Sequence, residues 1–162
     1  MDPTLIVGYG NPLRGDDAAG FLAAEQLGGV ITDPGVTVLA VQQITPELAE
    51  PVSRAARVIF IDAAVGPEPG QIRERIVRPA VERGAPAFTH HASLEAILAA
   101  ALALYGHAPE AWLISVGGSD FSYSTEPSPA LVQMVDSLAA AVLRLMGELR
   151  TFSARAPTCP SR

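Results

Sequence analysis

The chain has no lysine and only one cysteine, and each scarcity excludes a class of site. Among its 162 residues, every basic residue other than histidine is an arginine. A Schiff-base lysine and a phosphate-loop lysine are therefore both excluded. Because Cys159 is the single cysteine, no intrachain disulfide can form. A metal site of four cysteines, or of two cysteines and two histidines, is excluded for the same reason.

Positive charge is also scarce, since the net charge is −6 and the isoelectric point is near 4.9. Such a chain lacks the basic surface that binds nucleic acid or anionic membranes, so we expect neither partner. The first residues lack the basic segment of a signal peptide. The longest alanine-leucine stretch, Ile97–Tyr105, is shorter than the roughly 18 residues that span a bilayer. The sequence thus predicts a cytoplasmic protein.

Apolar residues make up 49% of the chain and charged residues 17%, which is enough for a buried core. Short apolar runs alternate with segments of helical period, a pattern typical of an α/β domain with a mostly parallel sheet. The predicted strands are Thr4–Val7, Val36–Val41, Arg57–Ile61, Gln71–Val77 at an edge, and Ala111–Val116. The predicted helices begin at Asp16, Thr45, Ser93 and Ser128, and the first is expected to end at Gly28-Gly29.

We therefore predict a single-domain, three-layer α/β sandwich, with a twisted five-stranded sheet and helices on both faces. The domain is expected to span residues 1–150. Residues 151–162 contain two prolines and show no apolar period, so we expect a disordered tail there.

Candidate site residues follow the predicted strands. In such sheets ligands bind beyond the carboxyl ends of the strands, where the strand order reverses. Asp16, Asp17 and Asp62 follow the first and third strands, and His90 follows the fourth. Carboxylates and imidazole can hold a divalent metal or share acid–base chemistry. The structural alternatives are that Asp16 and Asp17 cap a helix, that Asp62 stabilises a turn, and that His90 belongs to a polar approach to a helix.

Two common motifs, for dinucleotide binding and for serine hydrolases, are absent from the sequence. A dinucleotide-binding turn would need glycine at position 13, which is Leu13, and an acidic residue ending the second strand. The Gly-x-Ser-x-Gly elbow of serine hydrolases is absent from the sequence. The glycine-rich segment after the first strand therefore needs another explanation.

That segment closely resembles the opening of the nickel-iron hydrogenase maturation endopeptidases. The family signature is Gly-x-Gly-Asn-x-Leu-x-x-Asp, then a second acidic residue and a downstream glycine. The segment Leu5–Gly20 carries it, and Val58–Ala63 and Thr89–Leu98 resemble the family's second acidic site and its histidine segment. Gln43–Leu48 and Trp112–Gly118 also fit. The resemblance covers roughly residues 4–149.

The resemblance implies an endopeptidase that removes the C-terminal extension of a [NiFe]-hydrogenase large-subunit precursor after nickel insertion. It implies that Asp17, Asp62 and His90 contact the metal and are the catalytic residues. Asp17 is favoured over Asp16 as the second acidic residue of the motif, and His90 over His91 by its spacing to Leu94 and Leu98. Nickel is expected to arrive with the substrate, so that the free enzyme is largely metal-free.

Three further expectations accompany this assignment. Gly8, Gly10 and Asn11 are predicted to bind substrate, by close backbone approach and an amide donor, or else the glycines only make the turn. The predicted loops Ala63–Gly70 and Gly117–Pro127 are candidates for precursor specificity, or else ordinary variable loops. We expect a monomer that acts on the precursor protein.

Other functions stay open at this point. The same fold can serve as a non-enzymatic nickel- or nucleotide-binding factor of hydrogenase assembly. A relative with nucleosidase or peptidyl-tRNA hydrolase chemistry is a third possibility, which the acidic isoelectric point disfavours. The residues also leave open whether an aspartate is the general base or only a metal ligand.

Overall fold

The computed structural model describes residues 2–65, 68–80, 93–124, 126 and 128–155. They form one five-stranded sheet with helices on both sides, which confirms the predicted fold class. The strands are β1 (Thr4–Tyr9), β2 (Val36–Val41), β3 (Arg57–Val65), β4 (Ile72–Val77) and β5 (Glu110–Gly118). The helices are α1 (Ala19–Val30), α2 (Ala49–Arg54), α3 (Leu94–Tyr105) and α4 (Pro129–Arg155), with 3₁₀ turns at Gly15–Ala18 and Pro46–Leu48.

The strand order is β2-β1-β3-β5-β4. All neighbouring pairs are parallel except β4 and β5, so the antiparallel strand lies at an edge as predicted. The chain moves outward from β1 to β2 and then returns to place β3 on the other side of β1. The order therefore reverses between β1 and β3, and a ligand site is expected beyond the carboxyl ends of these two strands.

Two apolar cores flank the sheet. One face packs against α1 and α4, and the other packs against α2 and α3. Within β3, Ile59 and Ile61 point to the first core, whereas Val58 and Phe60 point to the second, and all four are fully buried. Burial on both faces explains why the inner strands are almost continuously apolar.

Helix α1 lies unusually close to the sheet because two glycines face each other. A Cβ at Gly8 of β1 would lie 2.0 Å from the carbonyl oxygen of Gly20 in α1. A Cβ at Gly20 would lie 2.4 Å from the carbonyl oxygen of Ile61. Neither site has room for a side chain, so this pair fixes the distance between the helix and the carboxyl ends of β1 and β3.

Helix α4 is long and apolar enough to cross a membrane by length and composition, over Pro129–Thr151 with mean hydropathy 1.5. The expectation that no such segment exists was therefore too simple. Its apolar stripe, which includes Leu138 and Val142, packs in the core, and half of the segment is buried. A helix on the core of a folded domain meets the same criterion, so this one is weak evidence for a membrane.

Several predicted boundaries were wrong, including those of β1, which ends at Tyr9 and not Val7, and of β5, which runs from Glu110 to Gly118. Strand β3 continues past Ile61 to Val65, because its last residues pair with the end of β5. Helix α1 runs through Gly28-Gly29 to Val30. The segment 151–155, expected to be disordered, extends α4 to Arg155, while 156–162 lie outside the described residues. For β3, pairing with a distant strand outweighs the local signal.

Candidate active site

A cleft of about 630 Å³ opens at the carboxyl end of the sheet. Its walls come from the end of β1 and the loop that follows, the residues after β2, the end of β3 and the start of α3. Both aspartates favoured by the sequence, Asp17 and Asp62, line this cleft. The strand order thus brings together two carboxylates that are far apart in the sequence, at the place where the order reverses.

Asp62 lies within β3, not beyond its end, and it faces the cleft because of its register with β1. Gly8 pairs with Ile61, so the next residues, Tyr9 and Asp62, lie side by side. The hydroxyl of Tyr9 donates a hydrogen bond of 2.9 Å to Asp62 Oδ2. The backbone N–H of Ala63 donates one of 2.8 Å to Oδ1. Each oxygen of the carboxylate therefore has a protein donor.

Burial raises the pKa of Asp62 to about 6. The hydrogen bonds from Tyr9 and Ala63 oppose this shift, and the nearby negative charge of Asp17 adds to it. Burial, together with the Asp62 charge, also raises the pKa of the Tyr9 hydroxyl, which stays neutral. Asp62 is thus a carboxyl group that changes charge near neutral pH, as is common in active sites.

Asp17 is held by the loop that follows β1. It lies in the 3₁₀ turn Gly15–Ala18, and its Oδ2 accepts a hydrogen bond of 2.8 Å from the backbone N–H of Asn11. The same loop passes through Gly10, which has φ of 142°, a conformation that favours glycine. The turn therefore folds back so that the Asp17 side chain closes its own loop and lines the cleft.

Asp16 has a different role. It is only 3% exposed, and its Oδ2 accepts hydrogen bonds from the backbone N–H groups of Ser119, at 2.8 Å, and Asp120, at 3.0 Å. Neither Asp16 nor Asp17 caps a helix: the N-cap positions of the 3₁₀ turn and of α1 are Arg14 and Ala18, and neither side chain accepts a hydrogen bond from the helix backbone. The capping alternative was therefore wrong, and Asp16 instead joins the loop after β1 to the loop after β5.

The three predicted substrate-binding residues divide into two groups. Gly10 and Asn11 line the cleft. Asn11 Oδ1 accepts a hydrogen bond of 2.9 Å from the backbone N–H of Leu13, which fixes its side chain. Gly8 is buried against α1, so its lack of a side chain is explained by helix packing, which does not support a contact with substrate.

His90 and His91 lie outside the described residues, so the histidine of the predicted triad stays a prediction. Within the described ranges, no three histidine, cysteine, aspartate or glutamate side chains lie close enough together to hold a metal. Ser93, which soon follows His90 in the sequence, lines the cleft and caps α3 by accepting a hydrogen bond from the Ala96 N–H. Of the three predicted metal ligands, Asp17 and Asp62 thus line the same cleft.

Sequence reasoning missed several residues of the cleft. Tyr9 is one, and Arg14 and Arg75 are two others. Arg75 pairs with Glu95 at 2.9 Å, and the guanidinium of Arg14 lies 5.9 Å from the ring centre of Tyr123. The position of Tyr9 in the sequence could have revealed it. Tyr9 lies just past the predicted end of the first strand, as Asp62 lies just past the predicted end of the third. Arg14 belongs to the loop after β1 that the sequence placed at the site, whereas Arg75 gave no such signal, since β4 meets the cleft only in the folded chain.

Solved structures of other proteins share this architecture. No family model and no curated protein matches the sequence. Among solved structures, the [NiFe] hydrogenase maturation protease HycI from Thermococcus kodakarensis is 25% identical, with a TM-score of 0.72 over 90% of this chain and 93% of that one. The hydrogenase maturating endopeptidase HybD from E. coli gives the same values. In fold and in sequence, the chain is similar to hydrogenase maturation proteases.

A third solved structure gives a similar match. The hydrogenase 2 maturation peptidase from Thaumarchaeota archaeon SCGC_AB-539-E09 is 25% identical, with a TM-score of 0.67 over 90% of this chain and 98% of that one. These hydrogenase maturation proteases match this chain over nearly their whole length. The fold predicted from the sequence is therefore confirmed, and so is the resemblance to hydrogenase maturation proteases.

Proposed function

We propose that this protein is an endopeptidase that removes the C-terminal extension of a [NiFe]-hydrogenase large-subunit precursor once nickel has been inserted. The observation that carries the proposal is the meeting of Asp17 and Asp62 in one cleft, in a fold shared with hydrogenase maturation proteases. The precursor is a macromolecular substrate, and a cleft of about 630 Å³ open to solvent suits an extended peptide segment.

Nickel enters this scheme as part of the substrate. Asp17 and Asp62 offer carboxylate oxygens, which are ligands for divalent transition metals, and His90 is assigned as a third ligand from its motif. A site with at most three protein ligands is open, in contrast to a closed structural zinc site. Such a site distinguishes a nickel-loaded precursor from an empty one, because the metal in the substrate completes its coordination with the enzyme's ligands.

The cleft residues have separate roles in peptide cleavage. Asp62 and Asp17 face the metal and hold the bond to be cleaved beside it, so that positioning lowers the barrier. Asp62, whose pKa is near 6, is ionised at neutral pH and is also suited to accept a proton from an attacking water. The Asn11 side chain and the Gly10 backbone line the same wall and are assigned to the peptide chain of the substrate.

Location and assembly complete the proposal. We propose that the protein acts in the cytoplasm as a monomer. Its partner is then the folded precursor, whose exposed C-terminal segment enters the cleft. The net charge of −6 of the chain is consistent with a protein substrate and disfavours binding of nucleic acid.

The test is to mix the metal-free protein with nickel-loaded precursor and with nickel-free precursor, and to measure product masses by mass spectrometry. We expect one shortened large subunit and one released peptide from the nickel-loaded precursor alone. Asp62→Asn serves as the inactive control, and Asp136→Asn, an exposed carboxylate on α4, as the matched active control. Efficient cleavage of nickel-free precursor would refute nickel recognition and favour a metal-independent aspartic mechanism. Nickel binding without cleavage would instead favour a non-enzymatic assembly factor.

A further inference from the structure

Tyr9 is a cleft residue to which the proposed function gives no role. It is the last residue of β1, and its ring packs on the α2–α3 side of the sheet. Its register beside Asp62 follows from the pairing of Gly8 with Ile61 in the neighbouring strand. Because paired residues of parallel strands point to the same face of a sheet, the two side chains project into the cleft together.

The contact between them is a single, well-formed hydrogen bond. The Tyr9 hydroxyl lies 2.9 Å from Asp62 Oδ2, while the backbone N–H of Ala63 lies 2.8 Å from Oδ1. The backbone N–H of Ala63 contacts only one of the two carboxylate oxygens, Oδ1. The second donor fixes the rotation of the carboxylate plane, and each oxygen keeps lone pairs for another partner.

We infer that Tyr9 is a positioning residue for the proposed peptidase reaction: its hydroxyl holds the Asp62 carboxylate in the one orientation in which it can face the substrate's metal and scissile bond. The expected effect on kcat rests on the proposed function, whereas the expected effect on the Asp62 orientation does not. Tyr9 itself need not touch the substrate. A phenylalanine at this position keeps the packing and removes only the donor.

The experiment compares Tyr9→Phe with Tyr105→Phe. Tyr105 ends α3, at the opposite end of that helix from the cleft, and it is half exposed, so its hydroxyl serves as the matched control. For each variant, kcat and KM are measured on nickel-loaded precursor, and a crystal structure of the free protein is determined. We expect Tyr9→Phe to lower kcat about tenfold, the value of one hydrogen bond to a charged group, with KM changed less than about twofold.

In the Tyr9→Phe crystal structure we expect the Asp62 carboxylate to be rotated or to occupy more than one rotamer, with the strands unmoved. Tyr105→Phe should match the wild type in both measurements. An unchanged kcat, or an Asp62 carboxylate that keeps its single orientation, would overturn the inference. If the wild-type protein cleaves no precursor, the proposed function fails, and the orientation of Asp62 in the two crystal structures alone decides the role of Tyr9.

Discussion

The Asp16 carboxylate accepts a hydrogen bond of 2.8 Å from the backbone N–H of Ser119, which joins the loop after β1 to the loop after β5. The backbone strengthens this link, since the Asp16 N–H donates to the Asp120 carbonyl oxygen at 2.7 Å. The neighbouring residue in the chain, Asp17, lines the cleft instead. One acidic residue of the pair therefore holds the loop in place, and the other faces the cleft.

This division predicts different phenotypes for the two aspartates. Asp16→Ala leaves the part-buried N–H groups of Ser119 and Asp120 without this charged acceptor, so we expect the free energy of unfolding to fall by about 2–3 kcal/mol. Asp16→Asn keeps one acceptor oxygen and should cost about 1 kcal/mol and retain processing activity. Urea unfolding monitored by circular dichroism measures both. Equal stability of Asp16→Ala and the wild type would contradict the assignment.

Asp17→Asn and Asp62→Asn are expected to abolish precursor processing without unfolding the protein. Each removes a negative charge from the cleft, and neither residue is fully buried in the core. We expect at least a 100-fold loss in kcat/KM in each case, which corresponds to about 2.7 kcal/mol of transition-state stabilisation. Mass spectrometry of the products gives the rate. Asp16→Asn is the matched comparison, and an equal loss of activity there would refute the distinction between the two neighbours.

The raised pKa of Asp62 predicts a particular dependence of stability on pH. In the unfolded chain its carboxyl ionises near pH 4, whereas in the folded protein it ionises near pH 6. Between these values the folded state binds more protons than the unfolded state, so the free energy of unfolding falls as the pH rises from 4 to 6 and then levels off. After allowance for the solvent that still reaches this partly buried side chain, we expect this contribution to be about 1–2 kcal/mol.

Asp62→Asn isolates this contribution because asparagine does not ionise, and the Tyr9 hydroxyl can accept a hydrogen bond from its amide. Relative to the wild type, the variant should gain stability between pH 4 and pH 6 and keep that gain at pH 8. Urea unfolding of both proteins at one-unit pH intervals checks it. Parallel stability curves across the whole range would show that burial does not disfavour the Asp62 charge.

The close approach of α1 to the sheet predicts opposite effects of alanine at two glycines of the same helix. Gly20→Ala would place a Cβ 2.4 Å from the Ile61 carbonyl oxygen, so the helix must move away, at a cost of about 2–4 kcal/mol. Gly29→Ala meets no atom within 4 Å and should stabilise the protein by about 0.5–1 kcal/mol through helix propensity. Thermal unfolding of both variants provides the measurement. Equal effects of the two substitutions would contradict the crowding of Gly20 against the sheet.

The sequence by itself determined the class of fold and the general place of the site. Apolar runs on both faces of the inner strands require a sheet covered on two sides, and Ser93 and Ser128 mark helix starts through hydrogen bonds to backbone groups three residues on. These signals are local, because the residues that make each contact are close in the chain. The placement of Asp17 and Asp62 at one edge also followed, since the ends of parallel strands meet there.

Tertiary structure alone decided what each side chain does at that edge. The length of β3 depends on its pairing with β5, the role of Asp16 depends on the backbone of Ser119, and the hydrogen bond between Tyr9 and Asp62 depends on strand register. Gly8 is required by Gly20 of a packed helix, a reason that the turn pattern does not contain. Each of these contacts joins residues far apart in the sequence, and only the folded chain sets their distances.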